Sequence, residues 1–232
     1  MIELCYREHQ TDIANLYLKK KQVARISDLA PSIVKITYRD EADYGSVKEF
    51  IQNIYKHSYG AEIDVTYPTL MSVCNEDGEI LSAVGFRCAD EGDLFLEQYT
   101  KEAVEKKLAC SRCEIVEIGN LASAGKGASI FLFAALAAYL DSKGVRYAAI
   151  TGTGFLHRYF KRIGLNPYKI CDADVSAVEN DGQSWGTYYD TRPRVLIGSL
   201  ETGVQRLSSM LGAKFETCCS GSCPQFSYME TA

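Results

Sequence analysis

Apolar and polar residues change their period several times along the chain, and each change marks an element. Ser32 to Asp40, SIVKITYRD, alternates β-branched and polar positions and predicts a strand. From Gly45 to Gly60 the spacing of Val47, Phe50, Ile51 and Ile54 is that of one helix face, closed by glycine. Two apolar runs, TLMSVCN and EILSAVGFRC, are parted by Glu76-Asp77-Gly78, which predicts a hairpin with Asp-Gly in its turn. DLFLEQYT predicts a short strand or extended segment, AVEKKLAC a short helix or turn, and EIVEIGNLA a strand. The segment ASIFLFAALAAYLDSKG, apolar on nearly every face and ended by Lys143-Gly144, predicts a buried helix. VRYAAITGT then predicts a buried strand, GFLHRYFKRIGL a short amphipathic helix, RPRVLIGSL a late strand and TGVQRLSSML a helix. Residues 1–29 show no clean period, and no element is assigned to them.

This order predicts an α/β fold, a mixed and mostly antiparallel sheet with helices on both faces. Glu114 to Thr153 predicts a strand-helix-strand crossover, whose two strands are then parallel neighbours. Neither a repeat nor a linker divides the chain. The expected organisation is one domain over residues 1–210 and a cysteine-containing, flexible tail over 211–232.

Charge and cysteine content narrow the function classes. The net charge of −5 leaves no global basic field for nucleic acid or an anionic membrane. Lys19-Lys20-Lys21 reads as a solvated turn. The polar N-terminus lacks a signal-peptide core, and Ile130 to Leu140 is about half the roughly 20 residues a membrane span needs. A cytoplasmic protein without a transmembrane segment is expected. Nine scattered cysteines do not make a disulfide framework. Cys110-Ser-Arg-Cys113 has the spacing of a metal knuckle or redox pair, but its only possible further ligands, Cys218, Cys219 and Cys223, lie about a hundred residues away, so reduced thiols and no metal are expected. No cysteine stands in a recognisable nucleophile context with a histidine.

Chemistry concentrates where strand passes to helix. Gly125, Lys126, Gly127 and Ala128 fall at a helix N-terminus, where free N–H groups and the helix dipole favour an anion and glycine admits close approach. The loop is not a Walker sequence, and a tight turn alone also explains its glycines. Glu117 and Asn120 precede it. Glu97, flanked by Phe95, Leu96 and Tyr99, is a candidate for a raised carboxyl, although Glu97 and Glu117 are equally suited to pairing with Arg87 or Arg112 across a sheet. Trp185, Tyr188 and Tyr189 crowd one short stretch, SWGTYYDTRP, for which a hairpin covering the core is the plain reading. Thr151 and Thr153 end a strand and suit either ligand contacts or caps. His157 reads as a surface histidine.

Several blocks, Tyr59-Gly60-Ala61 with YPTL, GFRCADEGDLFLEQY, EIVEIGNLAS, AITGT and WGTYY, resemble the bacterial thermostable hemolysin family, whose sequences are related to GNAT acyltransferases and acyl-homoserine lactone synthases. They span roughly residues 55–200. The resemblance implies a GNAT-like fold and an intracellular N-acyltransferase that moves an acyl group from acyl-CoA, or from the phosphopantetheine of an acyl carrier protein, to a small amine. It implies thioester-donor contacts at Gly125, Lys126, Gly127, Ala128, Thr151 and Thr153. Glu97 or Glu117 would be the base and Tyr188 the proton donor, with Arg87, Asn120, Trp185 and Tyr189 holding substrate. The sequence departs from the superfamily's [RQ]-x-x-G-x-[GA] loop, because Ala122 stands where Arg or Gln is usual; this favours a protein-delivered donor. A membrane-lysing protein, as the family's name suggests, is the rival reading, and a GNAT-shaped binding module that has lost catalysis is a third.

Overall fold

The computed structural model describes residues 1–218, except for the side chains of residues 179–181. The strands are β1 (Ile2–Glu8), β2 (Thr11–Leu18), β3 (Ile33–Tyr38), β4 (Thr69–Cys74), β5 (Ile80–Cys88), β6 (Ile115–Ser123), β7 (Tyr147–Gly152), β8 (Tyr168–Asp172), β9 (Arg194–Ser199) and β10 (Lys214–Thr217). The helices are α1 (Lys20–Val23), α2 (Tyr44–Tyr59), α3 (Val104–Leu108), α4 (Ser129–Ser142), α5 (Gly154–Ile163) and α6 (Leu200–Leu211). Among the described residues all strands join one sheet in the order β10-β2-β1-β3-β4-β5-β6-β7-β9-β8. Only β1–β3 and β6–β7 pair in parallel; the remaining neighbours are antiparallel.

The predicted crossover is present: β6, α4 and β7 form the parallel unit. The β4–β5 hairpin turns at Gly78, whose φ of 82° no β-branched residue would tolerate. Helix α2 ends at Gly60 in the left-handed conformation, with its N–H returned to the last turn.

Three stretches differ from the sequence-based expectation. Residues 2–18 form the hairpin β1–β2, in which Leu4, Tyr6, Ala14, Leu16 and Leu18 point inward. Cys5 and Tyr17 on the outward face had blurred that alternation. Residues 93–100 are not a strand: Phe95–Tyr99 is a 3₁₀ turn. The segment SWGTYYDTRP is not a hairpin but a succession of 3₁₀ turns, Glu179–Trp185 and Tyr188–Thr191. The sheet also continues past residue 210, since β10 pairs with β2 at Lys214–Thr217. The later tail cysteines, Cys219 and Cys223, lie outside the described residues.

Packing explains why α4 has no polar face. Every residue from Ile130 to Leu140 is buried, between one face of the sheet and α6. The opposite face carries α2 and a second cluster built on Tyr44, Val47, Ile51, Tyr55, Tyr67 and Leu70. Between α2 and β4, Ala61, Ile63, Val65 and Tyr67 are buried while Glu62, Asp64 and Thr66 are exposed. This extended alternation covers the sheet without joining it. No helix among the described residues is long and apolar enough to cross a membrane.

Phe131 on α4 is fully buried in the larger cluster. Replacement by alanine is expected to cost about 3–5 kcal/mol, read as a lower urea midpoint with an unchanged denaturant slope.

Candidate functional site

The site begins where β6 and β7 part. They pair only from Ile115↔Tyr147 to Ile118↔Ile150. Beyond that point Gly119–Ser123 and Thr151–Gly152 keep partners on their outer sides alone, β5 and β9. The inner edges therefore bound an open cleft of about 580 Å³, with Gly119, Asn120, Leu121, Ile150, Thr151 and Gly152 on its walls. Unpaired strand edges in a cleft require a polar partner, water or a ligand amide.

A bulge shapes this fork. Between the pairs Ala83↔Ala122 and Gly85↔Gly119, β5 advances two residues and β6 three. Asn120 takes up the extra residue with φ 52°, a left-handed conformation that asparagine tolerates better than most residues. Its side chain meets the Tyr55 hydroxyl. The bulge also turns Ala122 away from the fork, into the cluster formed with α2. The position at which Arg or Gln is usual therefore faces core.

At the mouth of the cleft, Gly125, Lys126 and Gly127 all have positive φ, at 91°, 52° and 80°. Ser27 clamps the turn by donating from Oγ to the Lys126 carbonyl at 2.7 Å. A Cβ on Gly127 would lie 2.7 Å from the Ile26 carbonyl, so only glycine fits. Gly125 N–H bonds Ser123 Oγ at 3.3 Å and Ala128 N–H bonds the Gly125 carbonyl at 3.0 Å. Among the described residues the N–H groups of Lys126 and Gly127 have no acceptor, and they stand at the start of α4, where a helix N-terminus favours negative charge. Ala128 itself is buried and takes Ser82 Oγ on its carbonyl.

On the α2 side of the fork, Glu117 is 1% exposed. Its oxygens accept the Leu96 and Phe95 N–H groups at 2.7 and 3.0 Å, which curls residues 95–99 into their 3₁₀ turn. Burial pushes its carboxyl up, only partly offset by those N–H groups and by Arg87, its cross-strand neighbour. Arg87 donates to the carbonyls of Asp93 and Thr66 at 2.9 and 3.4 Å and lies over the Tyr67 ring.

Glu97 differs from the expectation of a raised carboxyl. Burial does push it up, but the Arg112 guanidinium at 2.7 Å, together with the Leu94 N–H, outweighs burial and holds it below the usual range. Arg112 also reaches Glu105 at 2.9 Å, so Glu97 belongs to a structural ion-pair network.

An aromatic roof closes this side. Trp185 packs within 5.1–6.0 Å, centroid to centroid, of Tyr188, Phe95 and Tyr189. The Tyr189 and Tyr99 hydroxyls are 2.6 Å apart. Tyr188 is buried and donates to the Thr151 carbonyl at 3.3 Å; burial pushes its phenol well above the usual range. Thr151 Oγ1 is buried without a partner among the described residues. Thr153 instead caps α5, accepting the Leu156 N–H at 3.1 Å. His157 is buried rather than at the surface, with Nδ1 3.1 Å from Arg194. Among the described residues no cluster of three metal-ligating side chains exists, and Cys110 and Cys113 are free thiols.

Sequence reasoning missed Tyr55, Tyr67 and Ser27. Tyr67 stood in the YPTL block, but nothing local distinguishes it; its importance comes from two glycines on other strands.

A second, apolar cavity of about 410 Å³ lies between α4, α6 and the sheet. It shares Leu121, Phe133 and Ile150 with the cleft, so the two spaces are neighbours across those side chains.

Comparison with solved structures finds this fold among acyl-homoserine lactone synthases. LasI aligns at 19% identity over 72% of this chain and 89% of its own, with a TM-score of 0.52. The CoA-dependent synthase BjaI, solved with SAM and isopentyl-CoA, aligns at 10% identity over 77% of this chain and 89% of its own, TM-score 0.53. TofI, in a ternary complex with an inhibitor and MTA, aligns at 12% identity over 75% and 96%, TM-score 0.53. The architecture is thus GNAT-like. A family model described as thermostable hemolysin matches residues 37–204, and the chain belongs to that family. Comparison with curated proteins gives no match.

The Glu97–Arg112 pair has a definite pH signature. A carboxyl held below its unfolded value stabilises the fold above that unfolded value and loses the contribution as pH falls through the folded one. Glu97→Gln is expected to cost about 1–3 kcal/mol near pH 7 and less in acid, once the pH has fallen through the lowered folded value and the carboxyl has taken up its proton. Urea midpoints at neutral and acid pH check this.

Proposed function

We propose that this protein is an N-acyltransferase that moves an acyl group from a thioester to a small amine. The observation that carries the reading is the fork of β6 and β7, opening directly onto the glycine cradle of α4. The free strand edges suit the amides of a pantetheine arm, and the free N–H groups of Lys126 and Gly127 suit its phosphate. Thr151, with its unpartnered hydroxyl, adds a polar contact inside the cleft. The adjoining apolar cavity suits a fatty acyl chain better than acetyl, with Leu121, Phe133 and Ile150 at the junction.

Glu117 is the base. Burial raises its carboxyl towards neutrality, where it can take a proton from the attacking amine. Asn120 and the roof of Trp185 and Tyr189 frame the acceptor, and Tyr188 hydrogen-bonds the β7 wall of the cleft. Arg87 holds the acceptor side together through its carbonyl contacts rather than presenting a free charge. The donor is acyl-CoA or an acyl carrier protein. Ala122, facing core, supplies no side chain to a pyrophosphate, which favours the protein-delivered donor, and exposed Arg158, Lys161 and Arg162 on α5 give an acidic carrier a surface to meet. The reaction suits an intracellular enzyme that makes an acylated metabolite. A product with surfactant character would explain the family's name with no helix among the described residues long and apolar enough to cross a membrane.

Thermal unfolding with acetyl-CoA, decanoyl-CoA and decanoyl-acyl-carrier-protein tests the donor site. A bound donor at about a hundred times its dissociation constant stabilises the fold by roughly 2.7 kcal/mol. Decanoyl donors are expected to bind at least roughly 100-fold more tightly than acetyl-CoA, since each buried methylene contributes about 0.8 kcal/mol. Gly125→Asp, which puts a carboxylate beside the cradle, is expected to abolish the shift. No stabilisation by any of the three donors overturns the reading.

For Glu117→Gln, kcat is expected to fall roughly 10²–10⁴-fold. In the wild type, activity is lost as pH falls through the raised carboxyl value, because the base must be unprotonated. The acid limb of the kcat profile therefore lies above the ordinary carboxylate range, and a limb within that range counts against Glu117.

A further inference from the structure

The ring of Tyr67 lies flat across the fork's outer face. A Cβ on Gly85 would sit 2.7 Å from two of its ring carbons, and a Cβ on Gly119 would overlap its hydroxyl. Gly85 and Gly119 are direct partners on β5 and β6. The ring therefore runs from one strand to the other and ends with its oxygen over Gly119. That residue is the first of β6 beyond the last β6–β7 pair, and it lines the cleft. Two glycines side by side leave the space this arrangement needs.

The ring is held from behind. The Tyr67 carbonyl accepts the Tyr44 hydroxyl at 2.5 Å, and the Arg87 guanidinium stands 5.9 Å from the ring centroid. Of the neighbouring phenols, Tyr99 is paired with Tyr189, and Tyr188 with the Thr151 carbonyl. The Tyr67 hydroxyl has no hydrogen-bond partner among the described residues. Glu117, two residues before Gly119, lies on the same face of β6, one pleat away.

We propose that the Tyr67 hydroxyl is the hydrogen-bond donor to the oxyanion formed when the thioester is attacked at the fork. The assignment rests on the acyl-transfer reading above. In the step, the amine nitrogen bonds to the thioester carbon and the carbonyl electron pair moves onto oxygen. Tyr67 donates a hydrogen bond to that oxygen without losing its proton. The pair then returns, the carbon–sulfur bond breaks, and the thiol leaves with the proton that Glu117 took from the amine. Burial, with Glu117 nearby, keeps this phenol protonated well above the usual range, so it suits a hydrogen-bond donor better than an acid that surrenders its proton.

The test uses decanoyl-CoA with phenethylamine, and decanoyl-CoA with water as the only acceptor, because both reactions pass through the same oxyanion. Tyr67→Phe keeps the ring that fills the space over Gly85 and removes only the oxygen. It is expected to lower kcat in both reactions roughly 100-fold or more, with KM, decanoyl-CoA affinity and melting temperature unchanged. Replacing Tyr67 by 3,5-difluorotyrosine keeps the donor but makes it more acidic. Turnover is expected to be retained, and the alkaline limb of the kcat profile to move to lower pH. An active wild type with an equally active Tyr67→Phe overturns the oxyanion assignment alone, as does a variant that raises KM while leaving kcat intact. A wild type that binds decanoyl-CoA yet turns over neither acceptor overturns the acyl-transfer reading, and this assignment with it.

Discussion

The burial of α4 on every side is the constraint from which the rest of the molecule follows. A helix whose residues from Ile130 to Leu140 are all covered cannot slide or rotate without exposing apolar surface or opening voids. Its axis is set by the sheet on one face and by α6 on the other. Its N-terminus is thereby fixed at the place where β6 ends, and the turn of Gly125, Lys126 and Gly127 is held at the mouth of the cleft. Ser27 and Ile26, arriving from the far side of the chain, lock that turn from outside.

The fork is the second consequence. The α4 crossover brings β7 beside β6, yet the pairing stops at Ile118 and Ile150. The extra residue at Asn120 re-aims β6 just beyond that point, as bulges beside functional sites often do. The same bulge gives Ala122 to the core, so one backbone irregularity both opens the cleft and turns that side chain away from it. The two sides of the fork differ in chemistry. The α4 side is apolar, while the α2 side holds one buried carboxylate among tyrosines. This division is the feature on which the acyl-transfer proposal draws.

Charge is managed by context. Glu97 and Glu117 both accept backbone N–H groups of the same 3₁₀ turn and its cap, at Leu94, Phe95 and Leu96. Glu97 also has Arg112 in contact and stays ionised; Glu117 has no cation in contact, is more deeply buried, and is pushed up. Two like residues on opposite sides of one turn thus take different roles, set by a single guanidinium.

The sequence by itself determined the elements whose information is local: the period of α2, the Asp-Gly turn of the β4–β5 hairpin, the unbroken apolar run of α4 and the crossover around it. It also marked Gly125 and Gly127 as a tight turn at a helix start, because positive φ, and close approach at Gly127, leave glycine as their trace. Only the tertiary structure decided what depends on residues far apart in sequence. Phe95 to Tyr99 curl because a carboxylate on β6 collects the Phe95 and Leu96 N–H groups, against the segment's own extended propensity. The hairpin of residues 2–18 was hidden because Cys5 and Tyr17 are apolar on its outward face. Which glutamate is held low and which is pushed up turned on Arg112, and the lie of the Tyr67 ring turned on two missing side chains, at Gly85 and Gly119. Strand pairing and side-chain burial carry that information, and no window of local sequence contains it.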